Sequence, residues 1–161
     1  MLFRSVLSVA WRAATLGVDP DRLVFTQTAD SAAGDAQVRW YELDTKDLPG
    51  GFVQEAVINP GKTPNGNGIS TFYPAIEIAE NGDLGLTYLQ SSTNEFLSMY
   101  ITGQDADQDL INRMRFGAAA RSGEVRLTMP GGSPVLAGPY GGIAVDPAAA
   151  GDFWATHQFS V

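Results

Sequence analysis

Short alternating runs of apolar and polar residues dominate this chain, separated by Gly, Pro, Asn and Asp. A period of two places successive side chains on opposite faces of a strand. Residues 23–28 (LVFTQT) are rich in β-formers and predict a buried strand. Over 37–44, Val38, Trp40 and Glu42 fall on one face and Arg39, Tyr41 and Leu43 on the other, so this strand carries aromatic rings on both sides. Further strands are expected at 52–58, 72–79, 84–90, 96–102, 113–120 and 123–129, and 6–16 leans the same way. Turn clusters separate them at 17–21, 30–35, 48–51, 59–68 and 130–134. No run of 10 or more residues carries a convincing helical period.

One strand–turn–strand unit recurs. Residues 73–88 (YPAIEIAENGDLGLTY) have a counterpart in 139–161 (PYGGIAVDPAAAGDFWATHQFSV). Each copy begins at Tyr, runs through a short apolar strand (Ile76, Ile78; Ile143, Val145), turns, and restarts at Gly-Asp. The second turn is two residues longer. Asn81-Gly82 between alternating strands predicts a tight hairpin with positive φ at both residues. Recurrence of such a unit is the signature of a repeat architecture. About ten short strands with turns every 8–12 residues mean a sandwich, a barrel or a propeller.

The chain has 161 residues, enough for one domain with a real core, and no linker divides it. Its 18 Gly and 9 Pro suit an all-β protein with frequent turns. Net charge is −8, which argues against nucleic acid and against an anionic membrane surface as partners. There is no Cys, so disulfides and thiolate metal sites are excluded. No apolar run of about 20 residues predicts a membrane span. Residues 1–17 imitate a signal peptide only loosely, because Ser8 and Trp11-Arg12 cut the apolar run. In one frame the end of a widely used short-read sequencing adapter encodes Leu-Phe-Arg-Ser. Met1–Ser5 is therefore expected to be a non-native remnant on a truncated environmental gene.

Four segments carry a resemblance: VRWYELD (38–44), FYPAIEIAENGDLGLTYLQSS (72–92), EFLSMYITGQ (95–104) and GGIAVDP…DFWATHQF (141–159). Together they resemble the closing blades of sialidase-like (BNR-type) β-propeller domains of exported bacterial proteins. Those share a Tyr-Pro inner strand, a Gly-Asp turn and a final Val-Asp-Pro followed by Phe-Trp. The likeness covers most of residues 36–161. Relatives carry Arg-Trp-Gly-Asp-Tyr before the Val-Asp-Pro strand, where this chain has Leu136–Tyr140 and lacks the Arg and the Asp. The sialidase Asp-box is only echoed by Glu80–Gly85. The resemblance implies an all-β fold: antiparallel sheets as about three blades of a partial propeller, with residues 103–112 as a protruding loop. It also implies an extracellular or periplasmic location. The uncovered blade faces would then meet missing blades of the same natural chain, or a second copy in a homodimer.

Candidate chemistry is sparse. The single His, His157, would have to serve any Ser–His–Asp site, and Gly131–Val135 lacks the final Gly of a nucleophile elbow. His157 is expected on a sheet surface. Asp105, Asp107 and Asp109 stand at alternate positions of an acidic loop, and hard carboxylate oxygens so spaced suit Ca²⁺. The EF-hand pattern is incomplete, because no Gly follows at the sixth position and Phe116 replaces the bidentate Glu. The bland alternative is a solvated acidic tip, with no cofactor. A sialidase needs a Tyr nucleophile with acid support and Arg residues for the anionic sugar. Arg39, Arg113, Arg115, Arg121, Arg126 and Tyr41, Tyr73, Tyr88, Tyr100, Tyr140 supply the types, but nothing groups them in sequence. Trp11, Trp40, Tyr41, Phe153 and Trp154 form either a glycan-stacking platform or, as strand spacing favours, core between sheets. The expected function is a non-catalytic propeller module of an exported protein, a scaffold or a weak binder of glycan or protein. The alternative is a fragment of a sialidase-like glycoside hydrolase whose catalytic residues lie mostly outside this chain.

Overall fold

The computed structural model describes residues 8–12, 21–47, 49, 51–106, 117–124, 140–149 and 151–159. The fold is all-β and antiparallel throughout the described residues, apart from one 3₁₀ turn at Thr45–Asp47. The first sheet has order β1 (Ser8–Arg12), β2 (Arg22–Asp30), β3 (Ala36–Asp44), β4 (Phe52–Ile58). The central sheet has order β5 (Ser70–Ile78), β6 (Leu84–Ser92), β7 (Glu95–Gln104), β8 (Ala118–Arg121). A closing hairpin pairs β9 (Gly142–Val145) with β10 (Phe153–Thr156). The strand expected at 6–16 is described as β1 alone. Residues 125–129, where another was expected, lie outside the described residues, as do 113–116 of the strand before it.

The alternation in the sequence decides which face each sheet buries. In β2 and β3, Val24, Thr26, Thr28, Val38, Trp40 and Glu42 are buried, while Leu23, Phe25, Arg39, Tyr41 and Leu43 are half-buried on the other face. The buried face meets Ile76, Ile78, Leu84, Leu86 and Tyr88 of the central sheet in one apolar layer. In β6, every residue from Leu84 to Gln90 is buried, on both faces. Its other face takes the closing hairpin. A Cβ on Gly85 would lie 2.9 Å from Ile143 Cδ1 and from the Phe153 ring, so the hairpin sits where a side chain would otherwise be. The middle of the central sheet, at β6, is thus covered by the first sheet on one side and the hairpin on the other, while β8 is exposed.

Polar bridges close the layer between the first and central sheets at both ends. At one end Thr71 Oγ1 accepts the Val38 N–H (2.9 Å) and donates to the Ile58 carbonyl (3.1 Å). At the other, Glu42 accepts from Gln54 Nε2 (2.6 Å), and Gln104 Nε2 of the central sheet donates to Gln54 Oε1 (3.3 Å). Arg22 Nε lies 3.2 Å from Glu42 Oε1. Buried polar atoms need such partners, because one left alone costs about 1–3 kcal/mol.

One local turn design recurs. In Ser31–Asp35, Thr63–Asn67 and Ala79–Asp83, the first residue's N–H donates to the fifth residue's carbonyl, and the fourth residue's N–H donates back to the first carbonyl. The fourth residue is always Gly at positive φ: Gly34, Gly66 and Gly82. This corrects the two-residue Asn-Gly hairpin expected at 81–82: only Gly82 has positive φ there. Asn81 instead accepts the Asp83 N–H through Oδ1 (3.1 Å), which favours a three-residue loop.

Two substitutions test this packing. Thr71→Val keeps the shape but leaves the buried Val38 N–H without an acceptor, and should lower unfolding free energy in urea by about 1–3 kcal/mol. Gly85→Val should release the hairpin while sparing the first sheet, seen as lost amide protection over residues 142–156 alone.

Candidate functional site

The three sheets meet at a bulge in β5. Phe72 pairs with Leu89 and Ala75 with Thr87, so Tyr73 and Pro74 together oppose Tyr88 alone. Tyr73 has φ 52°, the one non-glycine at positive φ among the described residues. A Tyr in that region is strained, and a following Pro normally pushes the preceding residue toward extended backbone. Pro74 has no N–H to satisfy. The other groups freed by the bulge are answered by side chains from outside the sheet. Thr28 Oγ1 accepts the Tyr73 N–H (3.1 Å) and Ser8 Oγ accepts the Ile76 N–H (3.2 Å), both from the first sheet. From just beyond β10, His157 Nε2 lies 2.7 Å from the Tyr73 carbonyl oxygen.

His157 is therefore not the sheet-surface residue expected. It is half-buried and holds a backbone carbonyl. A carbonyl only accepts, so Nε2 carries the proton. Nδ1 accepts the Gln158 N–H (3.1 Å), which fixes the same tautomer. Burial pushes the imidazole pKa below its ordinary value, and the bond to Tyr73 opposes that only in part. Gly141 makes room for the ring, since a Cβ there would lie 2.4 Å from Nε2.

A second polar group lies on β6 and β7. The rings of Tyr88 and Tyr100 stack with centroids 5.6 Å apart. Tyr100 Oη donates to Glu95 Oε1 (2.7 Å), Gln90 Nε2 donates to Glu95 Oε2 (2.8 Å), and Tyr88 Oη accepts the Gly117 N–H (2.9 Å). Burial pushes the Tyr88 phenol up to about 12, and burial with the Glu95 carboxylate raises Tyr100 further. Such phenols stay protonated and are poor nucleophiles.

The remaining candidates are scattered. Asp105 is exposed at the end of β7, and Ala106 beside it donates its N–H to Asp83 Oδ1 (2.8 Å). Asp107 and Asp109 lie outside the described residues. Among the described residues no three acidic or His side chains are grouped to hold a metal ion. Arg39 lies on the outer face of the first sheet, and Arg121 pairs with Glu124 (3.2 Å) beneath the Phe159 ring. Arg113, Arg115 and Arg126 lie outside the described residues, as does Gly131–Val135. Of the aromatic candidates, Trp40 is core, Phe153 packs on Gly85 and Trp154 is 67% exposed. The Trp11 side chain is also outside the described residues. Tyr41 stacks with Phe25 at 4.7 Å on the outer face of the first sheet, with Phe52 edge-on at 6.4 Å.

No family model, curated protein or solved structure matches this chain. The likeness to sialidase-like propellers thus rests on its own sequence segments. No described helix is long and apolar enough to cross a membrane.

Sequence reasoning missed the bulge as a junction, although Tyr73-Pro74 was visible as the start of the repeat. It also missed the Glu95–Tyr100 pair, whose members are five residues apart on the single strand β7. The two phenols give a direct test. Their folded pKa values are raised, so the stability they contribute is present below about pH 10 and is lost as pH rises above it. Tyr88→Phe and Tyr100→Phe should each leave the 295 nm absorbance change between about pH 9 and 11 as in the parent protein.

Proposed function

We propose that this chain is a non-catalytic β-propeller module of an exported protein, serving as a scaffold or weak binder of glycan or protein. The observation that carries this reading is the order of stacking. Two four-stranded meanders and a hairpin pack face to face in chain order, β5 against β1, β2 and β3, and β9 against β5. Propeller blades are likewise four-stranded antiparallel sheets met in chain order, and that shared order supports the reading. On this reading the outer face of the first sheet, with Phe25, Tyr41 and Phe52, takes the preceding blade of a longer chain or a second copy. The exposed side of the hairpin, with Trp154, takes the following one.

One observation favours the alternative, a fragment of a sialidase-like hydrolase: Tyr100 and Glu95 form a 2.7 Å pair of the type such chemistry uses. Its electrostatics oppose the role, since burial and the carboxylate hold the phenol neutral. Arg22 and Arg121 pair with Glu42, Asp44 and Glu124, not with Glu95. The deciding experiment is sialoside turnover by this chain. The module reading expects release of a fluorogenic aglycone at the buffer rate. Turnover above that rate, abolished by Tyr100→Phe, would replace it with the hydrolase reading.

A further inference from the structure

We propose that the contact between His157 and Tyr73 is a pH-operated latch that holds the β9–β10 hairpin on the central sheet. The ring touches the open end of the hairpin, where both of its strands finish, and the bulge at once. It follows Thr156 directly, lies against Gly141 just before β9, and donates from Nε2 to the Tyr73 carbonyl. That carbonyl belongs to Tyr73, whose own N–H is held by Thr28 of the first sheet. The latch therefore closes on a rigid, strained point rather than on a free strand edge.

Protonation opens it for a geometric reason. The new proton goes on Nδ1, which now accepts the Gln158 N–H. Two donors then face each other, and a cation stands in a partly dehydrated place with one carbonyl to answer it. The lowered imidazole pKa agrees with this geometry. Besides His157, the titratable and charged groups on the elements that meet here are Arg12 on β1, Arg22 and Asp30 on β2, Tyr73 and Glu77 on β5, and Tyr140, Asp146 and Asp152 around the hairpin. The closed state binds fewer protons than the open one. The latch is thus at full strength above about pH 6.5 and weakens as pH falls from there to the folded-state pKa.

His157 is the only histidine in the chain, so its ring protons give one unambiguous titration by NMR. The expected midpoint lies below 6.5. Amide protection over residues 142–156, corrected for intrinsic exchange, should fall about tenfold per pH unit between pH 6.5 and that midpoint. His157→Gln keeps a donor for the Tyr73 carbonyl and cannot titrate, so its protection should stay level over the same range. A midpoint at or above 6.5 would overturn the latch. So would an equal acid loss of protection in His157→Gln. If that variant does not fold, the midpoint and protection profile of the parent chain decide the question alone.

Discussion

A bulge inside a packed sheet frees backbone groups that water reaches poorly, and each must find a partner. At Tyr73–Pro74 those partners come from Thr28 and Ser8 of the first sheet and from His157 just beyond β10, on either side of the central sheet. The irregularity thereby ties three sheets at one point. β5 edges its sheet, so groups facing away from β6 are open to the flanking sheets, and the bulge adds the N–H and carbonyl of Tyr73 to them. The strain of a Tyr at positive φ, of order 1–3 kcal/mol, is offset by contacts that a relaxed strand could not make.

Burial is arranged around this junction with a clear division of labour. Val24, Val38, Trp40, Ile76, Leu84, Leu86 and Tyr88 supply the apolar area. The side chains that reach between sheets are short and polar near the bulge (Thr28, Thr71) and long and polar at the far end (Glu42, Gln54, Gln104). On the hairpin side the device is subtraction. Gly85 and Gly141 lack the atoms that would keep Phe153, Ile143 and His157 at a distance.

Much of the fold was legible because alternation is a local signal. The faces of β3 follow the spacing of Val38, Trp40 and Glu42, and β4 spans the expected 52–58. The hairpins β5–β6 and β9–β10 were legible too, as a Gly-Asp restart after each short strand. The same pair occurs at Gly34-Asp35, where the same turn forms, and that recurrence was open to be read. What stayed hidden is non-local. Nothing near Glu42 announces Gln104 as its neighbour through Gln54, and nothing near Tyr73 announces a histidine 84 residues away. The candidate site was legible only in its residue types, because tertiary stacking decides which of the five tyrosines meets a carboxylate.

The chain Arg22–Glu42–Gln54–Gln104 bears on accuracy of assembly as well as on stability. Two apolar sheet faces tolerate sliding: moving one by a residue pair, about 7 Å along the strands, still sets apolar against apolar. The bond from Gln104 to Gln54 is the link of this chain that crosses between the sheets, since Arg22, Glu42 and Gln54 all lie on the first. A slide would take the donor away from the buried Gln54 oxygen, at a cost of about 1–3 kcal/mol. That link therefore works as an index pin, favouring one offset between the first and central sheets over its neighbours.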